Sequence, residues 1–156
     1  MTSPPEPLPR LLAFPPFLYL AAFALGWLLH RLAPFQAMPP ALARGGGLLL
    51  AFASISLLAW SRITLHRAGT TSLPGRPSVA LTLAGPYRWT RNPMCLAMAG
   101  VYLSLGILLN AVAPLLLFLP VFAVVDRRVI RREERKLAAK FGAPYRAYLS
   151  RVPRWF

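Results

Sequence analysis

Only four acidic residues stand in this 156-residue chain, and two of them, Glu133 and Glu134, are adjacent. Such a pair can hold an ammonium group or a row of hydroxyls, or it can brace arginines. On a helical wheel of about 100° per residue, Asp126, Ile130, Leu137 and Phe141 fall on one stripe, with Glu133 and Glu134 on its two edges. Arg127, Arg128, Arg131, Arg132 and Arg135 occupy the other side. The acids therefore face the interior or a pocket, where a carboxylate needs a partner. Upstream, Gly85-Pro86-Tyr87-Arg88-Trp89-Thr90-Arg91-Asn92-Pro93-Met94 leads straight into an apolar segment. Asn92 suits a helix N-cap and Pro93 the first helical position. A helix start also leaves backbone N–H groups free for a carboxylate, with Arg88 and Arg91 in the turn before it.

Downstream of the acids, Phe141-Gly142-Ala143-Pro144-Tyr145 reads as a helix stop: Gly142 suits a left-handed position, and Pro144 blocks continuation. Beyond it, Tyr145, Tyr148, Trp155 and Phe156 alternate with Arg146, Arg151 and Arg154. That pattern fits an aromatic and basic segment lying at a membrane surface, or a tail folded back as a lid over a site.

The elements that must position these residues are apolar. The chain is 56% hydrophobic and 14% charged, unlike an ordinary soluble domain. Four apolar blocks can be read, at about Phe14–Leu29, Gly46–Trp60, Pro93–Leu109 and Ala111–Val125. Each is slightly short for a span of about 20 residues, so flanking residues complete it. Gly45-Gly46-Gly47 opens the second block, and Asn110 marks a tight turn that makes the last two a helical hairpin. Gly69, Pro74, Gly75, Pro77 and Gly85-Pro86 predict an irregular loop between the second and third blocks. The expectation is an all-α polytopic membrane protein, a single domain over 1–156, with four transmembrane helices and a C-terminal helical tail.

Charge sets its direction. Of eighteen basic residues, sixteen fall on one side of this four-span arrangement and two, Arg31 and Arg44, on the other. The positive-inside rule places both termini in the cytoplasm, in a bacterial inner membrane. Both polar motifs then meet at the cytoplasmic mouth of the bundle. A net charge of +14 would point to nucleic acid in a soluble protein; here it reads as basic flanks facing anionic lipid. One cysteine, Cys95, excludes an intrachain disulfide. His30 and His66 fall on opposite predicted sides, so no metal site is expected, and the blocks carry no charge that would mark an ion path.

The ordered set of motifs resembles the isoprenylcysteine carboxyl methyltransferase and phospholipid methyltransferase family of integral membrane enzymes. It comprises Gly85-Pro86-Tyr87-Arg88, Arg91-Asn92-Pro93-Met94, Glu133-Glu134-Arg135-Lys136-Leu137, Phe141-Gly142-Ala143-Pro144-Tyr145-Arg146-Ala147-Tyr148 and Val152-Pro153-Arg154. The resemblance covers about residues 66–156. It implies S-adenosylmethionine as methyl donor, bound by Gly85, Tyr87, Arg88, Asn92, Pro93, Met94, Glu133, Glu134, Leu137 and Tyr145, with Arg91 and Asn92 as the catalytic pair. Glu134 is slightly favoured over Glu133 as the ligand-holding acid. The implied acceptor is a lipid or small amphipathic molecule carrying a carboxylate or an amine. Membrane lipid is the expected surrounding, and neither nucleic acid nor a protein partner is expected. Cys95 stands where the family usually has tyrosine and Ala97 where it usually has glycine, which predicts a cofactor pocket enlarged at one position and narrowed at the other. Two other functions fit the same architecture: an NADPH-dependent membrane reductase, and a non-catalytic membrane subunit that binds lipid or a partner.

Overall fold

A computed structural model describes residues 15–69 and 82–155. The described residues form helices and no strand: α1 (Pro15–Leu32), α2 (Pro40–Arg67), a 3-10 turn (Gly85–Arg88), α3 (Pro93–Leu108), α4 (Val112–Val124), a π-helical segment (Val125–Ile130), α5 (Arg131–Phe141) and α6 (Ala143–Arg151). Arg10, Thr70, Thr71, Pro74, Gly75, Arg76, Pro77 and Phe156 lie outside the described residues, and so does the centre of the expected irregular loop.

The four apolar blocks correspond to α1 through α4, with two corrections. First, α2 begins at Pro40 and runs through Gly45-Gly46-Gly47 to Arg67, so the glycines lie inside the helix instead of opening it. A proline at the first position fixes the start. Gly47 then permits a close approach: a Cβ there would sit 2.6 Å from Leu108 of α3. The expected loop residues Ser61 to Arg67 are helical for the same reason that Trp60 is, since nothing in that stretch breaks the helix. Second, the fourth block does not end at Val125. It continues without a break through the π segment into α5, so the tail begins as an extension of α4. Of the described helices, α2 is long and apolar enough by itself to cross a membrane, and α3 is a shorter apolar helix.

Helices α2 and α3 pack along their lengths, as do α1 and α4. Small residues set the closeness, since backbones approach only where side chains are missing. A Cβ on Gly26 of α1 would fall 2.7 Å from the Pro114 backbone of α4. Aromatic rings fill the centre. Tyr102 lies against Tyr19, Phe23 and Phe118, with ring centroids 5.3–5.7 Å apart, distances at which tilted and edge contacts are favourable. Its hydroxyl donates to the Pro114 carbonyl at 2.8 Å, so a buried polar atom is satisfied. Large apolar side chains remain exposed on the outside, among them Leu20 and Leu28 of α1, Leu49 and Phe52 of α2, and Leu116 and Leu119 of α4.

The hairpin turn forms at Asn110 as expected, with φ +50°, a value that asparagine tolerates better than most residues. Gly142 separates α5 from α6 at φ 59°, ψ −127°, a region that essentially only glycine enters. Pro144 lies in the first turn of α6, consistent with the expected stop.

Candidate functional site

The polar motifs converge at the end of the bundle where α3 starts. Residues 152–155 fold back onto the turn before α3. The Arg91 amide donates to the Pro153 carbonyl at 3.0 Å, and the Thr90 hydroxyl donates to the Arg154 carbonyl at 2.7 Å. Trp155 then stacks on Phe122 of α4 at 4.8 Å. The tail is thus built into the start of α3, the folded-back arrangement of the two read from its sequence.

Arg154 ties three elements together. Its Nε and one terminal nitrogen donate to the two oxygens of Glu134 at 3.0 and 2.5 Å, the bidentate fork that suits a guanidinium. Its other terminal nitrogen reaches Asp126 in the π segment at 3.4 Å. Arg91 also reaches Glu134, at 3.2 Å, and Arg131 lies 3.8 Å from Asp126. Two acids are therefore saturated by arginines. Glu134, the acid favoured on sequence, is braced by Arg91 and Arg154 and is not left open to a ligand.

Glu133 differs. Among the described residues it makes no hydrogen bond and no ion pair, and its side chain is open at the rim. Protein nonetheless surrounds much of it. Lost hydration raises its carboxyl above the ordinary value; Lys136 opposes the shift and Glu134 adds to it. The water that reaches the rim tempers this shift. Its charge is felt by Cys95, Tyr87 and Tyr145, which places it toward the start of α3 and the 3-10 turn.

The remaining expected residues surround this point in different roles. Gly85 opens the 3-10 turn at φ +57°, where a Cβ would fall 2.7 Å from the Thr64 hydroxyl of α2. Tyr87 offers its carbonyl to the Tyr148 hydroxyl at 2.8 Å. Burial pushes the Tyr145 and Tyr148 phenols up to about 12, so both remain protonated near neutral pH. Tyr145, Tyr148 and Val152 form a small core against which Leu137 packs, so Leu137 and Tyr145 hold α5 to α6. Pro93 is fully buried and Met94 is half-buried, whereas Arg88 is exposed. Asn92 occupies the N-cap of α3, but its side chain makes no capping bond. Its side-chain nitrogen Nδ2 is buried without a partner, as is the Nε of Arg91, while the Asn92 backbone amide donates to the Thr90 hydroxyl at 3.3 Å.

Thr90, Asp126 and Arg154 were missed as site residues by sequence reasoning. Arg154 lay within the quoted Val152-Pro153-Arg154 motif, and Asp126 was one of four acids, so both carried a signal. Thr90 carried none beyond its place between Arg88 and Arg91.

The two departures from the family pattern also have positions. Cys95 is buried in one cluster with Tyr19 of α1 and Tyr102. Ala97 faces away from the polar cluster. It lines an apolar recess of ≈ 370 Å³ between α2, α3 and α4, with Leu50, Ser54, Leu57, Gly100 and Phe122. Phe122 joins the two regions, since it lines the recess and carries Trp155.

No match to the chain was found among curated proteins or solved structures. The sequence pattern of phospholipid methyltransferases, a family of membrane methyltransferases, matches residues 42–144, more than half of the chain's 156. That span takes in nearly all of α2, the turn at Arg91 and Asn92, Glu133, Glu134 and the α5–α6 break, and so the chain belongs to the phospholipid methyltransferase family.

Proposed function

We propose that the protein is an integral membrane methyltransferase that binds S-adenosylmethionine beside the start of α3 and methylates a lipid-like or small amphipathic acceptor. The observation that carries this reading is a mismatch of partners. Two buried donors, Arg91 Nε and Asn92 Nδ2, have no acceptor, and one carboxylate, Glu133, has no donor. An unsatisfied buried polar group costs about 1–3 kcal/mol, which a ligand bearing both a carboxylate and an ammonium would recover. The methionine end of the cofactor is such a ligand, so the residues present fit it.

Arg91 and Asn92 would hold its carboxylate and Glu133 its ammonium or ribose hydroxyls. Arg154 keeps Glu134 neutralised and Arg91 aimed. When bound, the sulfonium supplies a methyl group that is already electrophilic, so the protein's task is alignment, and positioning dominates the rate. The apolar recess between α2, α3 and α4 suits the hydrocarbon part of the acceptor, because its walls offer dispersion contacts and little hydrogen bonding.

In this reading α1 through α4 all cross the membrane, tilted or completed by flanking residues, with both termini cytoplasmic. The exposed apolar faces of α1, α2 and α4 support it, since they would otherwise meet water. A cysteine at Gln36, in a Cys95→Ser background, is then labelled only from the side opposite the cytoplasm; labelling from the cytoplasmic side would reverse the orientation.

The functional test is ligand-linked stability. S-adenosylhomocysteine at 100 times its Kd should stabilise the purified protein by about 2.7 kcal/mol, and labelled methyl groups should pass into a lipid extract. A response to NADPH with none to S-adenosylhomocysteine would mark a reductase. A response to neither, without methyl transfer, would leave a non-catalytic subunit.

A further inference from the structure

The outer side of the long fourth helix changes character at one point. Along α4, Leu116, Leu119 and Val124 are exposed by 68%, 70% and 45%. Immediately after the start of the π segment the exposed residues include Arg127, Arg128, Arg131 and Arg135, with Glu133 the one exposed acid among them. An apolar row that turns into an arginine row on one continuous helix marks where hydrocarbon gives way to head groups.

Of these arginines, Arg131 alone has an acidic partner among the described residues, Asp126 at 3.8 Å. Asp126 and Glu134 are engaged by Arg154, with Arg131 and Arg91 as additional partners. Among the described residues, Arg127, Arg128, Arg132 and Arg135 form no ion pair. Arg127 and Arg128 stand on the π segment, and Arg132 and Arg135 on α5, whose outer side is uncovered. None of the α5 residues is buried, and its main packing partners are the π segment before it and α6 after it.

We infer that this face, centred on Arg127, Arg128 and Arg135, binds the head groups of anionic phospholipids. Each arginine near an anionic bilayer surface is attracted appreciably, and a guanidinium matches a phosphodiester with paired hydrogen bonds. The placement favours lipid over a soluble polyanion, because the arginine row begins where the lipid-facing row ends. Head-group binding would hold α5 from the outside, while Glu134 holds it from the inside.

The experiment uses the full chain in a neutral detergent, with melting temperature as the readout. Dioctanoyl phosphatidylglycerol should raise it by roughly 5 °C, and dioctanoyl phosphatidylcholine should not. The Arg127→Gln, Arg128→Gln, Arg135→Gln triple variant should melt like the original protein in phosphatidylcholine and lose the response to phosphatidylglycerol. For the unsubstituted protein, the response should shrink in about 0.5 M salt, which tests the inference even if the variant does not fold. Equal responses to the two lipids, a response that survives salt, or a full response in the triple variant would each overturn it. So would an equal rise with inorganic phosphate or a short RNA, either of which would assign the face to a soluble polyanion.

Discussion

Two asparagines bracket α3 and use their amides in opposite ways. Asn110, after its C-terminal end, is bonded through both its side-chain oxygen and its side-chain nitrogen. Its Oδ1 accepts from the amides of Ala37 and Met38 at 2.9 and 3.1 Å, and its Nδ2 donates to the Met38 carbonyl at 2.7 Å. It stitches the hairpin turn to the α1–α2 connection. Asn92, at the N-terminal end, makes no capping bond and leaves Nδ2 buried without a partner. The Asn110 side chain is used within the protein, whereas the turn before α3 leaves the side-chain donors of Arg91 and Asn92 unpaired among charges. Leftover capacity of that kind is what a binding site needs and a structural joint avoids.

The comparison breaks most readily at Asn110. Asn110→Ala should lose about 3 kcal/mol of stability, from three hydrogen bonds and a positive φ that alanine tolerates poorly. Thermal unfolding measures the loss. Asn110→Gly should recover only the backbone part, and S-adenosylhomocysteine should still stabilise both variants. If Asn110→Ala melted normally, the turn would not depend on this side chain.

At the other end, Glu134→Gln should cost about 2 kcal/mol without any ligand, since Arg91 and Arg154 would lose their shared counter-charge in a half-buried setting. Loss of ligand affinity at unchanged stability would instead return Glu134 to the role favoured on sequence. Asn92→Ala should behave in the reverse way: stability nearly unchanged, because no capping bond is lost, and S-adenosylhomocysteine affinity lower by roughly tenfold. Isothermal titration alongside melting separates the two. A large stability loss in Asn92→Ala would make both asparagines structural.

The smallest effect and the most diagnostic sign belong to Glu133. Its carboxyl is raised in the folded protein, so folding favours the protonated form. The stability it contributes is full below the unfolded value, near pH 4.3, and is lost as pH rises through the folded one. Glu133→Gln should therefore melt slightly higher than the original protein at pH 7 and no higher at about pH 4, while binding S-adenosylhomocysteine roughly tenfold more weakly. A variant that melts lower at pH 7 would show that Glu133 is braced, as Glu134 is.

Much of the site was legible because helical periodicity and helix punctuation are local. Asn92-Pro93 marked the start of α3 and Gly142 the end of α5, and both hold; the wheel turned both acids inward, whereas Glu134 is enclosed and Glu133 is exposed. Local signals could not say which acid would be taken. That depended on Arg154, twenty residues further along, returning to meet Glu134 through a tail whose own sequence favoured lying flat on a membrane. Ala97 shows the same limit: two residues from Cys95 on one helix, it turns to a different neighbour and lines an apolar recess.

The sequence by itself determined the helical class, the apolar blocks, the charge asymmetry and the family, because burial period, composition and motif order are written along the chain. Tertiary structure alone decided the division of labour within the acidic pair, the helical continuity from α4 into α5, and the orphaned donors at Arg91 and Asn92. These depend on which side chains from distant segments compete for the same hydrogen bonds, and that competition is settled only when the segments meet in space.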